Sequence, residues 1–455
     1  MPINRREFLA ATGTAFAFPP VAWLGRLPRQ TTRPVPSPAQ LEWQRDELAL
    51  FLHFGVNTFT DQEWGTGRED PKLFAPAKLD ARQWTRAAKA GGFRTLVLTA
   101  KHHDGFCLWP SHTTKHTVAS SAWREGKGDV VREFTDACHA EGVKAGLYLS
   151  PWDRNNPFYG DSPRYNDLYC DQLTELLSNY GPIHEVWFDG ANGEGPNGKR
   201  QLYDWPKFWG LVRRLQPQAV MFSDAGPDIR WIGNERGSAG ETNWSTMDPA
   251  VVPYPGASGP GIIRALQEGN PSGAVWRPGE TDVSIRPGWF YHPAEDARVK
   301  SADDLVQLYF TSVGRNSKLL LNVPPTRDGL LHDIDSGRLV ELHERLGALF
   351  ARDLVRRDVK WRMTGARTAT ADTELGRLVS VGITDLREDI EHGQVIARYV
   401  LEGSDGGPWQ TLSRGTTIGY RKLDRFEPVP VRRVRLVIED AVAVPQPVRI
   451  GLFSP

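Results

Sequence analysis

From residue 48 onwards, short apolar runs alternate with longer stretches in which apolar and polar residues recur with a helical period. Each apolar run is rich in aliphatic or aromatic residues and is followed by polar, glycine or proline residues, as expected of buried strands. The clearest strand predictions are residues 48–54, 95–99, 144–150, 185–188, 219–223 and 318–323. Between them, helices are predicted at residues 79–90, 129–140, 164–180, 203–215 and 301–313.

The repeated strand–helix order predicts a parallel sheet, because parallel strands need a long crossover connection. For residues 45–352 we predict a catalytic (β/α)8 barrel of the TIM type, which suits a segment of this length. The two strands that complete the barrel are expected between residues 230 and 290, near 240–244 and 274–285.

Beyond a helix predicted near residues 337–351, the pattern changes to short alternating runs separated by turn residues. Period-two alternation is typical of strands that bury one face. Residues 353–455 are therefore predicted to form a C-terminal antiparallel β-sandwich. Its strand candidates are residues 378–383, 395–401, 434–438 and 448–452.

The first residues have the pattern of an export signal. Residues 4–9 (NRREFL) contain a twin-arginine motif, and the apolar stretch that follows is too short and too rich in proline to span a membrane. We predict a twin-arginine signal peptide at residues 1–30 and a linker at 31–44. The protein is accordingly expected to be bacterial, periplasmic or secreted, and free of the membrane in its mature form.

Composition narrows the classes of partner. The chain has 55 basic and 55 acidic residues and no clustered basic stretch in its body, so nucleic acid is not an expected partner. The three cysteines, Cys107, Cys138 and Cys170, lie far apart and show no metal-binding spacing, so neither a disulfide framework nor a zinc site is predicted. Sixteen tryptophans are a high count; most should lie in the core, although their flat faces also suit sugar rings.

Side chains that handle protons follow successive predicted strands. Because the carboxyl ends of barrel strands meet at one face, we expect an active site there. The residues concerned are His53, Lys101 to Asp104, Ser150 to Asp153, Asp189, Asp224 and Glu235.

A metal site is the less favoured interpretation of the histidines. His102 and His103 are adjacent, and neighbouring side chains on an extended segment point to opposite sides. No HExxH spacing is present. We therefore expect neither a metal nor a cofactor. Instead, His53, His102 and His103 are expected to form hydrogen bonds with the hydroxyl groups of a ligand.

Paired carboxylates are the favoured interpretation, because glycoside hydrolysis needs two of them on either side of the scissile bond. Asp189 ends an apolar run, where a carboxylate is costly unless it has a partner. Trp187 points to the same face two residues earlier and is a candidate substrate-binding residue of the pocket. Glu235, in the segment 231–237, is the leading second carboxylate. The alternative without a catalytic role is, for Asp189, an aspartate on the barrel rim that caps a loop amide. For Glu235, it is an acidic residue on a surface loop. Rivals for the second carboxylate are Glu241, Glu194, Asp224 and Asp228.

Several motifs, in the same order along the chain, resemble the retaining α-L-fucosidases of glycoside hydrolase family 29. They are FLHFG at residues 51–55, KHHDGFCLW at 101–109 and EVWFDG at 185–190. Segments 231–237, 286–291 and 316–325 are similar as well, so the resemblance covers about residues 45–350.

The resemblance implies a role for each matching residue. Asp189 matches the catalytic nucleophile, and Glu235 resembles the acid/base of the subgroup that cleaves α-1,3 and α-1,4 fucosyl branches. The pocket residues implied are His53, His102 and His103 for the fucose hydroxyls, Trp289 for the C5 methyl, and Trp64 and Tyr148 as looser matches.

The predicted function is hydrolysis of terminal α-1,3/1,4-linked fucose from branched oligosaccharides through a covalent fucosyl-aspartate. Retention predicts carboxyl groups about 5–5.5 Å apart. Three alternatives stay open: an α-L-fucosidase with broad or α-1,2 preference, an inert fucose-binding protein on the same barrel, and a retaining glycosidase for another sugar.

Overall fold

The computed structural model describes residues 33–355 and 359–454. The predicted signal peptide, residues 1–30, lies outside the described residues. Residues 38–45, which overlap the end of the predicted linker, form a helix, because Ser37 and Gln40 form a reciprocal capping box and Trp43 is buried. No helix of the described residues combines the length and the apolar character needed to cross a bilayer.

Eight parallel strands form a nearly closed barrel in the order β5-β4-β3-β2-β1-β10-β9-β6. A parallel bridge between Phe222 and Ile229 links its two edges, β5 and β6. A separate antiparallel pair is made by β7 and β8. The strands are β1 Leu48–Leu52, β2 Thr95–Lys101, β3 Lys144–Leu149, β4 Glu185–Trp187, β5 Val220–Phe222, β6 Arg230–Trp231, β7 Thr246–Met247, β8 Val275–Trp276, β9 Gly279–Ser284 and β10 Ser317–Asn322.

Helices surround the barrel and begin at polar caps. Asp80, Asp129 and Ser301 each accept a hydrogen bond from the first turn of the helix that follows, which satisfies a backbone donor with no partner inside the helix. The α-helices are α1 Pro38–Arg45, α2 Val56–Thr60, α3 Ala81–Ala90, α4 Val130–Glu141, α5 Ser162–Asn179, α6 Trp205–Leu215, α7 Pro260–Glu268, α8 Ala302–Thr311 and α9 Asp333–Leu349.

The barrel prediction is confirmed, with one strand misplaced. The six strands predicted with a clear apolar pattern are present, and β9 lies within the segment 274–285. The strand expected at residues 240–244 is wrong, since this position in the barrel is taken by β6. β6 has only two residues, and its Arg230 is fully buried against the Leu266 carbonyl and Asn243, so no apolar run announces it.

The C-terminal residues form an antiparallel sheet with its own apolar core, as predicted. Its order is β11-β12-β15-β13-β14, and β16 pairs with β12. The two longest strands shift register between Glu374 and Val379 and again between Val381 and Ile383, which bends the sheet. The strands are β11 Lys360–Met363, β12 Ala369–Arg387, β13 Ile396–Ser404, β14 Gln410–Gly415, β15 Lys422–Ala441 and β16 Arg449–Phe453.

Candidate active site

The carboxyl ends of the barrel strands bring most of the predicted polar residues to one face, as a parallel barrel requires. Ring contacts, hydrogen bonds and electrostatic coupling link them into one group. Its members are His53, His102, His103, Tyr148, Asp189, Glu235 and Trp289.

Asp189 lies two residues beyond β4 and is held by both of its oxygens. Its Oδ2 accepts a hydrogen bond of 3.0 Å from the Tyr148 hydroxyl, and its Oδ1 accepts one of 2.7 Å from the Ala191 backbone amide. The His103 Nε2 lies 3.8 Å from Oδ2. The side chain is 26% exposed, so Asp189 is fixed in orientation and still open to a ligand.

Tyr148 is a constant donor to this carboxylate. Burial raises the pKa of Tyr148 well above its ordinary value, and the negative charge of Asp189 raises it further. The phenol therefore keeps its proton over the whole physiological range.

The hydrogen-bond network fixes the tautomer of His53. The amide nitrogen of Asn322 donates to the Ser284 hydroxyl and the Trp289 carbonyl, so its Oδ1 must be the atom that faces His53 Nδ1 at 2.8 Å. The histidine therefore donates through Nδ1. Burial lowers the pKa of His53 to about 3, so the ring is neutral and its Nε2 is an acceptor for a hydroxyl.

His103 has the same tautomer as His53, but a serine hydroxyl and not an amide fixes it. The Ser150 hydroxyl donates its one proton to the Trp152 carbonyl at 2.6 Å, so it can only accept from His103 Nδ1 at 2.7 Å. Burial lowers the pKa of His103, although Asp189 opposes the shift. The neutral ring then presents an acceptor Nε2 near Asp189.

The expectation that His102 and His103 point to opposite sides is wrong. Their ring centroids are 4.1 Å apart, and His102 also lies 5.5 Å from His53. The reason is that β2 ends at Lys101, so the two histidines are on turning backbone and not on an extended strand. Burial, together with the two neighbouring histidines, lowers the pKa of His102 well below its ordinary value.

These buried neutral histidines predict a loss of stability in acid. The unfolded chain binds protons at these residues below about pH 6.5, whereas the fold binds them only at lower pH, so the free energy of unfolding should fall as pH drops from about 6.5. Replacement of one of them, His53→Gln, should flatten this slope by up to about 1.4 kcal/mol per pH unit. Urea unfolding at several pH values measures it. The exposed His112→Gln is the matched control, and equal slopes for both variants contradict the prediction.

Glu235 lies on the rim and is exposed to solvent. Partial burial raises its pKa, the charges of Asp189 and Glu63 raise it further, and a hydrogen bond with the Trp289 side chain opposes the rise. Such a carboxyl group holds its proton to higher pH than an ordinary glutamate. Because the charge of Asp189 is one cause of this rise, the two acids lie close enough to interact electrostatically.

The four alternative candidates for the second carboxylate lie at different positions on the barrel. Glu241 pairs with Arg315 at 3.4 Å, just before β10 begins, and thus lies at the amino-terminal end of the strands. Asp228 is held by Arg213 on α6 at 2.7 Å. Asp224 lies at the carboxyl end of β5, and its charge is coupled to that of Asp189. Glu194 is exposed on the loop after β4.

The three predicted pocket tryptophans occupy different depths. Trp187 is buried in the barrel, where its ring stacks on Phe222 with the ring centroids 3.9 Å apart. Its indole N–H donates a hydrogen bond to Glu280. The ring centroids of Trp289 and His53 are 5.1 Å apart. Trp64 is 59% exposed and lies 6.0 Å from His103, so it borders the site from outside.

Several residues of the site were not predicted individually. Asn322 orients His53, and Glu63 accepts hydrogen bonds from the Trp289 and Phe290 amides at 2.8 and 3.1 Å. Asn322 ends the apolar run of β10, which is the same signal that marked Asp189. Glu63 lies in an irregular loop, where no sequence period exists to mark it.

Comparisons with known proteins identify relatives of this chain over most of its length. The family model for α-L-fucosidases matches residues 30–347. Alpha-L-fucosidase 1 of Arabidopsis thaliana is 43% identical over 92% of this chain and 87% of its own length. A rice protein (Oryza sativa) assigned to the same activity is 44% identical over 92% of this chain and 85% of its own.

Solved structures share the fold as well. A Bacteroides ovatus structure assigned as an α-L-fucosidase is 46% identical and has a TM-score of 0.82. The match covers 92% of this chain and 74% of the other. A family 29 fucosidase from Ruminococcus gnavus, solved in complex with fucose, is 30% identical with a TM-score of 0.84 over 92% of this chain and 95% of its own.

These comparisons correct the expectation of a bacterial protein in the periplasm or secreted. Two curated relatives at 44% and 43% identity come from plants, so the motif at residues 4–9 does not assign the chain to a bacterium or to that compartment. The reason is that a short arginine pair before an apolar stretch carries little information on its own.

Proposed function

As a member of the α-L-fucosidase family, glycoside hydrolase family 29, this chain is an α-L-fucosidase, and we propose that it is a retaining exo-enzyme specific for α-1,3- and α-1,4-linked fucose. Asp189 is the proposed nucleophile and Glu235 the proposed acid/base. The observation that carries the proposal is Asp189 itself, oriented by Tyr148 and Ala191 and open on its remaining side.

In the first step, an Asp189 oxygen attacks the anomeric carbon of fucose as the glycosidic bond breaks. Glu235 gives its proton to the departing oxygen, which is why a raised pKa suits it. The product is a fucosyl ester of Asp189. In the second step, the Glu235 carboxylate removes a proton from water, the water oxygen attacks the anomeric carbon, and Asp189 leaves as a carboxylate.

The proposed fucose pocket lies between the histidines and Trp289. His53 and His103 each offer an Nε2 acceptor for a sugar hydroxyl, since each Nδ1 already donates within the protein. Trp289 offers an apolar face for the C5 methyl of fucose. His102, the ring next to both of these histidines, is the third proposed hydroxyl-binding residue.

The linkage preference rests on Glu235, whose segment 231–237 resembles that of the subgroup that cleaves α-1,3/1,4 branches. We expect the enzyme to release fucose from a Lewis-type trisaccharide at least tenfold faster than from 2′-fucosyllactose or an aryl fucoside. Parallel assays of free fucose measure this. A preference for 2′-fucosyllactose or the aryl fucoside contradicts the linkage assignment but not the assignment of α-L-fucosidase activity.

Retention is tested separately. Proton NMR during hydrolysis should show α-fucose before the β anomer accumulates. Incubation with 2-deoxy-2-fluoro-fucosyl fluoride should add one fluorofucosyl group to the peptide that contains Asp189, as detected by mass spectrometry. Release of the β anomer first, or labelling at another residue, overturns the proposed mechanism.

A further inference from the structure

Asp224 follows β5, the strand that lies between β4 and β6 in the barrel. On one side, β5 pairs with β4, the strand that precedes Asp189. On the other side, a parallel bridge joins β5 to the residue before β6, the strand that precedes Glu235. The histidines lie at the ends of β1 and β2, away from β5 in the strand order. Because the acid/base must contact the leaving oxygen, the leaving sugar departs on the side of Glu235, which is the side of β5 and β6.

Asp224 also anchors the rim at this place. Its Oδ2 accepts a hydrogen bond of 2.8 Å from the amide of Gly256, in the segment 248–259 between β7 and α7. A Cβ on Gly190, the residue after Asp189, would lie 2.5 Å from that same amide nitrogen. The rim segment is therefore packed directly against the chain that carries Asp189.

The chemistry of this rim suits a sugar. Only one Asp224 oxygen is occupied by another described residue, so the second is available to accept hydroxyl protons. Burial and the charge of Asp189 raise the pKa of Asp224 to about 6, which leaves it ionised at neutral pH. Two residues before Gly256, Tyr254 is 58% exposed and offers an aromatic surface.

We propose that Asp224 and the rim segment 248–259 form the binding site for the sugar to which fucose is attached, with the Asp224 carboxylate accepting hydrogen bonds from that sugar's hydroxyls. The proposal rests on the proposed function, since it assumes that Asp189 and Glu235 flank the scissile bond. This part of the rim then distinguishes an oligosaccharide from a simple fucoside.

The test compares kcat/KM for an aryl fucoside with kcat/KM for whichever of a Lewis-type trisaccharide and 2′-fucosyllactose the wild type cleaves better. Asp224→Asn keeps an acceptor for the Gly256 amide and removes the charge. Loss of a charged hydrogen bond should lower oligosaccharide cleavage about 10- to 100-fold. The aryl fucoside, which has no second sugar, should lose at least tenfold less. Tyr254→Ala should show the same selectivity with a smaller loss.

Further variants separate the alternatives. Asp224→Ala removes the rim anchor as well; if only this variant loses oligosaccharide cleavage, Asp224 acts as an anchor and the proposed sugar contact is wrong. Equal losses on both substrates place Asp224 in the fucose site and also overturn the proposal. Glu241→Gln, at the opposite end of the barrel, is the matched control, and unfolding temperatures check that each variant is folded. A wild type that releases no fucose from any substrate refutes the proposed function itself, before any variant is compared.

Discussion

Asp189→Ala is expected to lower kcat/KM on every fucoside by on the order of 10⁴- to 10⁶-fold, as removal of a covalent nucleophile does in other enzymes. The carboxylate that would be lost is oriented by Tyr148 and the Ala191 amide. Both an oligosaccharide and an aryl fucoside should be affected, because formation of the fucosyl ester is the same step that releases either leaving group. Initial rates with excess enzyme measure the residual activity.

Tyr148→Phe serves as the control for this result. It removes the hydrogen bond to Asp189 and keeps both the ring packing and the nucleophile. Its loss should be far smaller than that of Asp189→Ala. If Asp189→Ala retains activity within tenfold of the wild type while remaining folded, the nucleophile is another residue and the proposed mechanism is wrong.

Glu235→Gln is expected to lower cleavage of an oligosaccharide by about 10²- to 10⁴-fold, the usual contribution of a general acid. A sugar alkoxide is a poor leaving group and needs the proton, whereas a phenolate of low pKa does not. Formation of the fucosyl-enzyme from an activated aryl fucoside should therefore be affected much less. Pre-steady-state release of the phenol measures that step apart from the hydrolysis of the ester.

The pH profile gives a second signature of Glu235. The acid must be protonated in the first step, so wild-type activity should fall as pH rises through its pKa, which burial, Asp189 and Glu63 raise. In Glu235→Gln this alkaline fall should disappear, because an amide does not titrate. An unchanged alkaline fall, or a similar loss in Glu241→Gln, assigns the proton donor to another residue.

Local signals were sufficient for most of the fold. Among the buried strands, β1 has the uninterrupted apolar sequence LALFL and β2 contains the apolar run Leu96 to Leu98, and such runs can be recognised alone. β6 has two residues and contains the buried Arg230, whose guanidinium is satisfied by groups far along the chain. Its strand character therefore comes from pairing with β9, which no local pattern records.

The sequence by itself determined the barrel and the C-terminal antiparallel sheet, and it marked Asp189 as a candidate, since a carboxylate at the end of an apolar strand is a local feature. Only the tertiary structure decided that Glu235 lies close enough to Asp189 to feel its charge, while Glu241 lies at the opposite end of the barrel. It also decided that His102 and His103 lie side by side. The physical reason is that direction, proximity and electrostatic coupling depend on where loops turn, and those turns are fixed by contacts between residues far apart in the chain.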